Sequence, residues 1–215
     1  MDFSVINSAL IVKLLLLLLI GMGPKIALVP FLEKTKHFDA DTQRAIGRQM
    51  VRAAVVTALI LFATGALLMR LLHITGGAVA VAGGAILATL AMEMVHGQGK
   101  KTVEVEAPED PKQIAIYPLA VPYLLNPVGI TILIIASAEV VSVASAGLVL
   151  GLVLLVGAFD YVLFANIDKV SKRLNPTTLV ISEVVFGILL AAVAVQLIVS
   201  GLDLLGITAV PDPKH

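Results

Sequence analysis

Six stretches of this chain are apolar for long enough to cross a lipid bilayer, and that length constrains the fold more than any other feature. They run at roughly 5–32, 51–71, 76–95, 114–140, 146–166 and 178–205. A bilayer's hydrocarbon core is about 30 Å thick, which a helix crosses in about 20 residues. The first and fourth stretches exceed that length, and each contains a polar break near its middle. Between the spans lie polar segments, clearest at 33–50, 96–113 and 167–177. Segment 97–112, rich in charge and holding Pro108 and Pro111, is the natural joint between two halves.

Composition agrees and excludes much else. Hydrophobic residues make up 59% of the 215 and charged residues 14%, whereas a soluble domain is about half apolar and a quarter charged. Formal net charge is zero, so no global attraction to nucleic acid arises. The absence of cysteine removes thiol chemistry, thiolate metal sites and disulfides. The leucine run 14–19 could pass for a signal peptide, but residues 1–12 carry no Lys or Arg and the run ends in Gly21-Met22-Gly23-Pro24. It therefore reads as a retained first span.

The two breaks lie at one fixed spacing. The first is Gly21-Met22-Gly23-Pro24, the second Leu125-Asn126-Pro127-Val128-Gly129, and their prolines are 103 residues apart. The same offset carries Gly84 onto Gly187, Ala91 onto Ala194 and Glu93 onto Gln196. One offset relating separate places predicts a unit used twice. Three spans per unit is an odd number, so consecutive units enter the membrane in opposite senses. The expected fold is an all-α membrane protein of six transmembrane helices, arranged as two inverted three-helix repeats with broken first and fourth helices. Its divisions are a first repeat over 1–96, a cytoplasmic linker over 97–113, a second repeat over 114–206 and an extracytoplasmic tail over 207–215. Broken helices at matching positions in two halves point to a transporter's binding site.

Basic residues set the orientation. Eleven of the fifteen (Lys34, Lys36, Arg44, Arg48, Arg52, Lys100, Lys101, Lys112, Lys169, Lys172 and Arg173) fall on one side, against Arg70 and Lys214 in loops on the other. The richer side is cytoplasmic by the positive-inside rule, which leaves both termini extracytoplasmic. Arg44, Arg48 and Arg52 share one helix face and read as the solvated start of the second span, behind the candidate caps Asp39 and Asp41.

The breaks carry the chemistry. Proline suits the first turn of a helix, and Asn is a strong N-cap. Gly23-Pro24 thus reads as the start of a half-helix running inward, and Asn126-Pro127 as the start of one running outward. Helix N-termini present unpaired amides and about half a positive charge. Two such ends at one cavity favour a carboxylate and disfavour a cation. The expected substrate-binding residues are Gly23, Pro24, Lys25, Asn126, Pro127 and Gly129. Asp160, inside the fifth span, costs roughly 2.5–3.5 kcal/mol against lipid and is expected to face the bundle or water. It reads either as a proton carrier or ammonium ligand, or as half of a structural ion pair, with Lys25 as one candidate partner. Glu183, near the cytoplasmic end of the last span, reads as a gate or a snorkelling group. Small residues at four-residue spacing, Gly76, Ala80, Gly84 and Ala88, predict close helix packing. The four histidines show no metal-ligand spacing, and no phosphate loop, dinucleotide fingerprint or serine elbow occurs. No catalytic residue, cofactor or metal is expected.

Several segments resemble the MarC family of integral membrane proteins. Phe31-Leu32-Glu33-Lys34-Thr35-Lys36-His37-Phe38, followed by Ile46, Arg48 and Val51, resembles its first cytoplasmic loop. Ala82-Gly83-Gly84-Ala85-Ile86 resembles its third span. Pro118-Leu119-Ala120-Val121-Pro122 with Asn126-Pro127-Val128-Gly129 is similar to its fourth, and the run 187–196 followed by Gly201 to its last. The resemblance covers nearly the whole chain and rests on the order and spacing of these segments. It implies six spans, a multi-pass protein of the inner membrane, and transport of small neutral amino acids, near the LysE-type exporters. The departures fall around the breaks. The family's Asn-Pro followed by Gly is here Gly23-Pro24-Lys25, and its frequent Gly-Pro-Gly is Asn126-Pro127-Val128-Gly129. An Arg common before the glycines of the third and sixth spans is replaced by apolar residues near Ala80 and Val184. The expected function is secondary transport of small neutral amino acids or similar zwitterions, coupled to a cation or proton, with the bilayer as partner and no nucleic acid. A passive channel is the alternative, because paired positive helix ends also exclude cations from a pore.

Overall fold

The computed structural model describes residues 7–96, 110–171 and 176–207. In chain order the helices are α1 (Ser8–Met22), α2 (Pro24–Thr35), α3 (Ala40–Leu71), α4 (Gly76–His96), α5 (Pro111–Ile114), a distorted helical segment Ala115–Leu124, then α6 (Pro127–Glu139), α7 (Val143–Ala165), α8 (Ile167–Ser171) and α9 (Pro176–Leu204). No strand occurs among the described residues. Five segments are long and apolar enough to cross a membrane: Ser8–Thr35, Ala40–Leu71, Gly76–His96, Val143–Ala165 and Val184–Leu204. Pro111–Leu124 and Pro127–Glu139 together make a sixth, bent by 72°. The protein is all-helical and multi-pass. Most of the linker expected at 97–113 lies outside the described residues.

Local chemistry places the helix starts. Gly23 and Asn126 are the N-caps of α2 and α6, each followed by proline. Asp39 caps α3 by accepting the Asp41 and Thr42 amides. The Thr42 hydroxyl also donates to its carboxylate at 2.5 Å, and these bonds hold the Asp39 carboxyl below its ordinary range. Ser142 and Ser145 form a reciprocal capping box at the start of α7. The starts of α2 and α6 are 103 residues apart, and so are those of α3 and α7. The second span begins well before the expected residue 51, because a hydropathy window marks only the lipid-embedded part of a longer helix whose start Asp39 fixes.

The fourth span differs most from expectation, which placed a single break near Asn126. Tyr117 (φ −131°, ψ 128°) and Val121 (φ −135°, ψ 123°) are extended, because each precedes a proline whose ring excludes the helical region. The peptides Tyr117-Pro118 and Val121-Pro122 are cis. The Leu125 amide reaches back to Ala120 at 2.8 Å, a turn wider than an α-helix makes. In this stretch Ala115, Leu119, Ala120, Leu124 and Leu125 are buried, whereas Ile116 and Tyr117 are exposed.

Two antiparallel pairings organise the bundle. α4 lies along α9: a Cβ on Gly84 would meet the Ala194 carbonyl at 2.7 Å, and one on Gly187 the Ala91 carbonyl at 3.0 Å. Gly77 and Gly201 oppose each other in the same way. The small residues of the third span thus pack inside the bundle, as their spacing predicts. α3 lies along α7, with Gly47 against Phe164 and Gly157 against Val55. The main core gathers Leu14, Leu18, Met22, Phe31, Met50, Ala54, Val153 and Phe164. The perimeter is apolar too: Leu16, Val56, Ile60, Leu155, Val162, Ile188 and Val195 are each more than half exposed. A soluble protein would not carry that surface, whereas lipid solvates it.

Candidate functional site

The two breaks meet. The Asn126 amide donates to the Gly21 carbonyl at 2.9 Å, and its Nδ2 donates to the Ile20 carbonyl at 2.6 Å. These carbonyls end α1, where no further turn exists to satisfy them. Gly21 and Gly129 touch backbone to backbone, leaving no room for a Cβ on either. The polar groups freed by one break are thus met by the other.

The two helix starts are not equivalent. At α6, Asn126 Oδ1 accepts the amides of Val128 at 2.9 Å and Gly129 at 3.4 Å. Asn126, Pro127, Val128 and Gly129 are all buried. Those amides are occupied by the chain itself, so this start is closed. At α2 no side chain caps the helix. Gly23, Pro24, Lys25 and Ile26 line a cavity of about 790 Å³ between α1, α2, α7 and α9. The contacts between the breaks run through Ile20, Gly21, Asn126 and Gly129. Of the six expected binding residues, Gly23, Pro24 and Lys25 line the cavity, with Lys25 exposed and Gly23 and Pro24 buried, and Asn126, Pro127 and Gly129 do not line it.

The walls of this cavity are apolar. Leu16, Leu19, Phe159, Phe186, Leu190 and Val193 supply much of them; Leu16 and Phe159 are more than half exposed, so the cavity is a groove that opens onto the apolar perimeter. Lys25 carries the one charge among the lining residues. Its Nζ lies 4.0 Å from the centroid of the Phe186 ring, where the ring's quadrupole attracts a cation.

Residues 8–205 of the chain match the MarC family integral membrane protein. The chain belongs to the MarC family. Relatives include a UPF0056 membrane protein of Methanocaldococcus jannaschii, 28% identical over 184 residues covering 84% of this chain and 90% of the relative. A UPF0056 membrane protein of Aquifex aeolicus is 27% identical over 199 residues, covering 91% and 93%. One from Pyrococcus abyssi is 23% identical over 172 residues, covering 80% and 84%. No solved structure matches the chain.

The remaining intramembrane charges of this MarC-family protein sit apart from the cavity. Asp160 is fully buried, and neither carboxylate oxygen has a hydrogen-bond partner. It follows Val156 and precedes Phe164 on one face of α7, and both pack in the main core with α1 and α3. Lys25, one candidate partner, does not pair with it: Lys25 lies against Phe186 of α9, whereas Asp160 sits between Val156 and Phe164 of the main core. Glu183 lies within α9, but its side chain is outside the described residues. The arginine stripe behaves as a solvated face. Arg44 pairs with Asp41 at 3.0 Å and Asp168 at 3.3 Å, and Arg52 stands 6.0 Å from the Tyr161 ring. Sequence reasoning missed the cavity walls. Phe159 and Phe186 look like any apolar residues of a membrane helix. Gln196, noted in the sequence only as the counterpart of Glu93, also lines the cavity.

Proposed function

We propose that this MarC-family protein is a secondary transporter of small neutral amino acids or similar zwitterions, and that the α2 start at Gly23-Pro24-Lys25 holds the substrate carboxylate. One observation carries the reading: the two breaks interlock, yet one helix start is self-capped while the other opens onto a cavity. At this uncapped start the helix dipole and the Lys25 ammonium both favour an anion. Asn126, Pro127 and Gly129 act as the frame that fixes its position.

The architecture that supports alternating access is two inverted repeats, 1–96 and 114–206, joined by a cytoplasmic linker over 97–113 and followed by an extracytoplasmic tail over 207–215. Its support is that the 103-residue offset turns the Gly84–Ala194 contact into the Ala91–Gly187 contact and relates both pairs of helix starts. Rocking one repeat against the other would expose the cavity alternately. Asp160, a carboxyl with no partner inside the bilayer, is the group suited to couple transport to a proton or cation, with Glu183 as a second candidate. The protein resides in the inner membrane with both termini extracytoplasmic, and no enzymatic step is involved.

Reconstituted proteoliposomes test this. Neutral amino acids are expected to show saturable uptake and counterflow, and amidated analogues to compete poorly because they lack the carboxylate. Linear, non-saturating flux without counterflow would replace the carrier with a passive channel.

A further inference from the structure

The 103-residue offset carries α2 onto α6, α3 onto α7 and the Gly84 region of α4 onto the Gly187 region of α9, yet the two copies do not pack alike. α6 lies along α3 and α4 more extensively than its counterpart α2 lies along α7 and α9. A Cβ on Gly83 of α4 would collide with the Thr131 side chain of α6. One on Gly65 of α3 would meet Ser137 Oγ of α6, and Ile134 Cα at 3.0 Å. The offset turns Gly83 and Thr131 into Phe186 and Leu28. These two are half-buried and line the groove of about 790 Å³. The groove is thus the gap left where α2 stands off from the helices that correspond to the ones α6 is docked on.

A second observation concerns the outer end of α2. The offset turns Gly65 and Ser137, which touch, into Asp168 and Lys34. In the structure Asp168 is held by Arg44 at 3.3 Å. Packing of α2 in the manner of α6 would bring Lys34 to Asp168, so opposite charges stand at two positions whose counterparts are in contact. The two ends of α2 also suit movement. Its start carries no side-chain cap, and residues 36–39 after it are a turn. Hinges of this kind lie at the ends of elements and let the segment between them move as a rod.

We propose that α2 is a lid and that the structure is one of two states of the bundle. In the other state α2 packs on α7, α8 and α9, Leu28 meets Phe186, Lys34 meets Asp168, and the groove closes. α6 then leaves α3 and α4 and opens the corresponding gap on the opposite side of the membrane. The inference rests on the inverted-repeat transporter reading above and names the moving parts of it: exchange of the two repeats' conformations exposes each side in turn, with both states present in one population.

The test measures distances between spin labels on paired cysteines, which the cysteine-free chain permits, in protein reconstituted in liposomes. His37→Cys with Lys169→Cys reports on α2, and Val141→Cys with Leu67→Cys reports on α6; all four positions are exposed. Each pair should give two distances in the otherwise wild-type chain. Gly65→Val, which crowds α6 off α3, should move the first pair to its shorter distance and the second to its longer one. Adding Lys34→Glu should return the first pair to the longer distance, and adding Lys34→Arg should leave it short. A single fixed distance for both pairs in the otherwise wild-type chain overturns the lid, whatever the variants do. Both pairs shortening together in Gly65→Val overturns it as well. Lys34→Glu behaving like Lys34→Arg removes the Lys34–Asp168 contact from the proposal. Saturable counterflow of alanine with both distances fixed overturns the lid and keeps the carrier. Opposed shifts without counterflow of any neutral amino acid keep the lid and overturn the carrier.

Discussion

Asn126 joins the two breaks. It caps α6, closes that helix to ligands, and supplies two donors to the broken end of α1. Asn126→Ala keeps the backbone donor but removes the cap, worth about 1 kcal/mol. It also strips the Ile20 carbonyl of its partner, and an unmade buried bond costs about 1–3 kcal/mol. The variant should melt at a lower temperature and bind substrate more weakly, because the α1 end it releases forms one wall of the cavity. An unchanged melting temperature would mean that the Asn126–Ile20 bond does not hold the breaks together. Asp160 presents the opposite case, a buried polar group with no partner. Asp160→Asn preserves shape and removes the group's ability to carry a charge, so expression should stay near normal while the pH dependence of uptake flattens. Uptake with the wild-type pH profile would exclude Asp160 from coupling.

At the level of elements, the most extensive pairing is between α4 and α9, and it depends on what glycine leaves out. A side chain at Gly84 would collide with the Ala194 carbonyl and Ile198, so Gly84→Val should destabilise by about 1–3 kcal/mol, the usual cost of overpacking. Gly147 and Gly151 on α7 face open space. Gly147→Ala should be neutral or stabilise by up to about 1 kcal/mol through helix propensity, and unfolding of the purified variants would check the contrast. These packing sites were legible in the sequence, because Gly76, Ala80, Gly84 and Ala88 recur at helical spacing and 103 residues separate Gly84 from Gly187. The breaks were legible too, since Gly-Pro and Asn-Pro interrupt apolar runs. The distorted stretch before Asn126 was not anticipated, although Pro118 and Pro122 held the signal, because their effect depends on surrounding protein accepting an irregular backbone. The asymmetry of the two starts was also hidden. Whether Asn126 caps its own helix or frees its amides is decided by rotamer and neighbours, which no spacing reveals. The cavity walls were invisible for a plainer reason: a leucine facing a groove and a leucine facing lipid are the same letter.

The whole molecule adds a constraint that neither residues nor helices carry alone, which is the direction each span takes. Asp39 and Ser142 cap α3 and α7 at positions 103 apart, and they sit in the short turns that follow α2 and α6. If the repeats are inverted, these two turns lie on opposite sides of the membrane. The turn after α2 carries Lys36 and leads to Arg44 and Arg48, whereas the turn after α6, residues 140–142, carries no basic residue. The positive-inside rule therefore places the first turn in the cytoplasm and the second outside. Because the chain has no cysteine, single substitutions report position without background. His37 and Val141 are both exposed in their turns. An impermeant maleimide should label Val141→Cys in intact cells and His37→Cys only after the membrane is opened. Labelling in the reverse pattern would invert the orientation while keeping the repeat. Equal labelling of both in intact cells would place the two turns on one side, and the inverted arrangement, with the alternating access built on it, would fall.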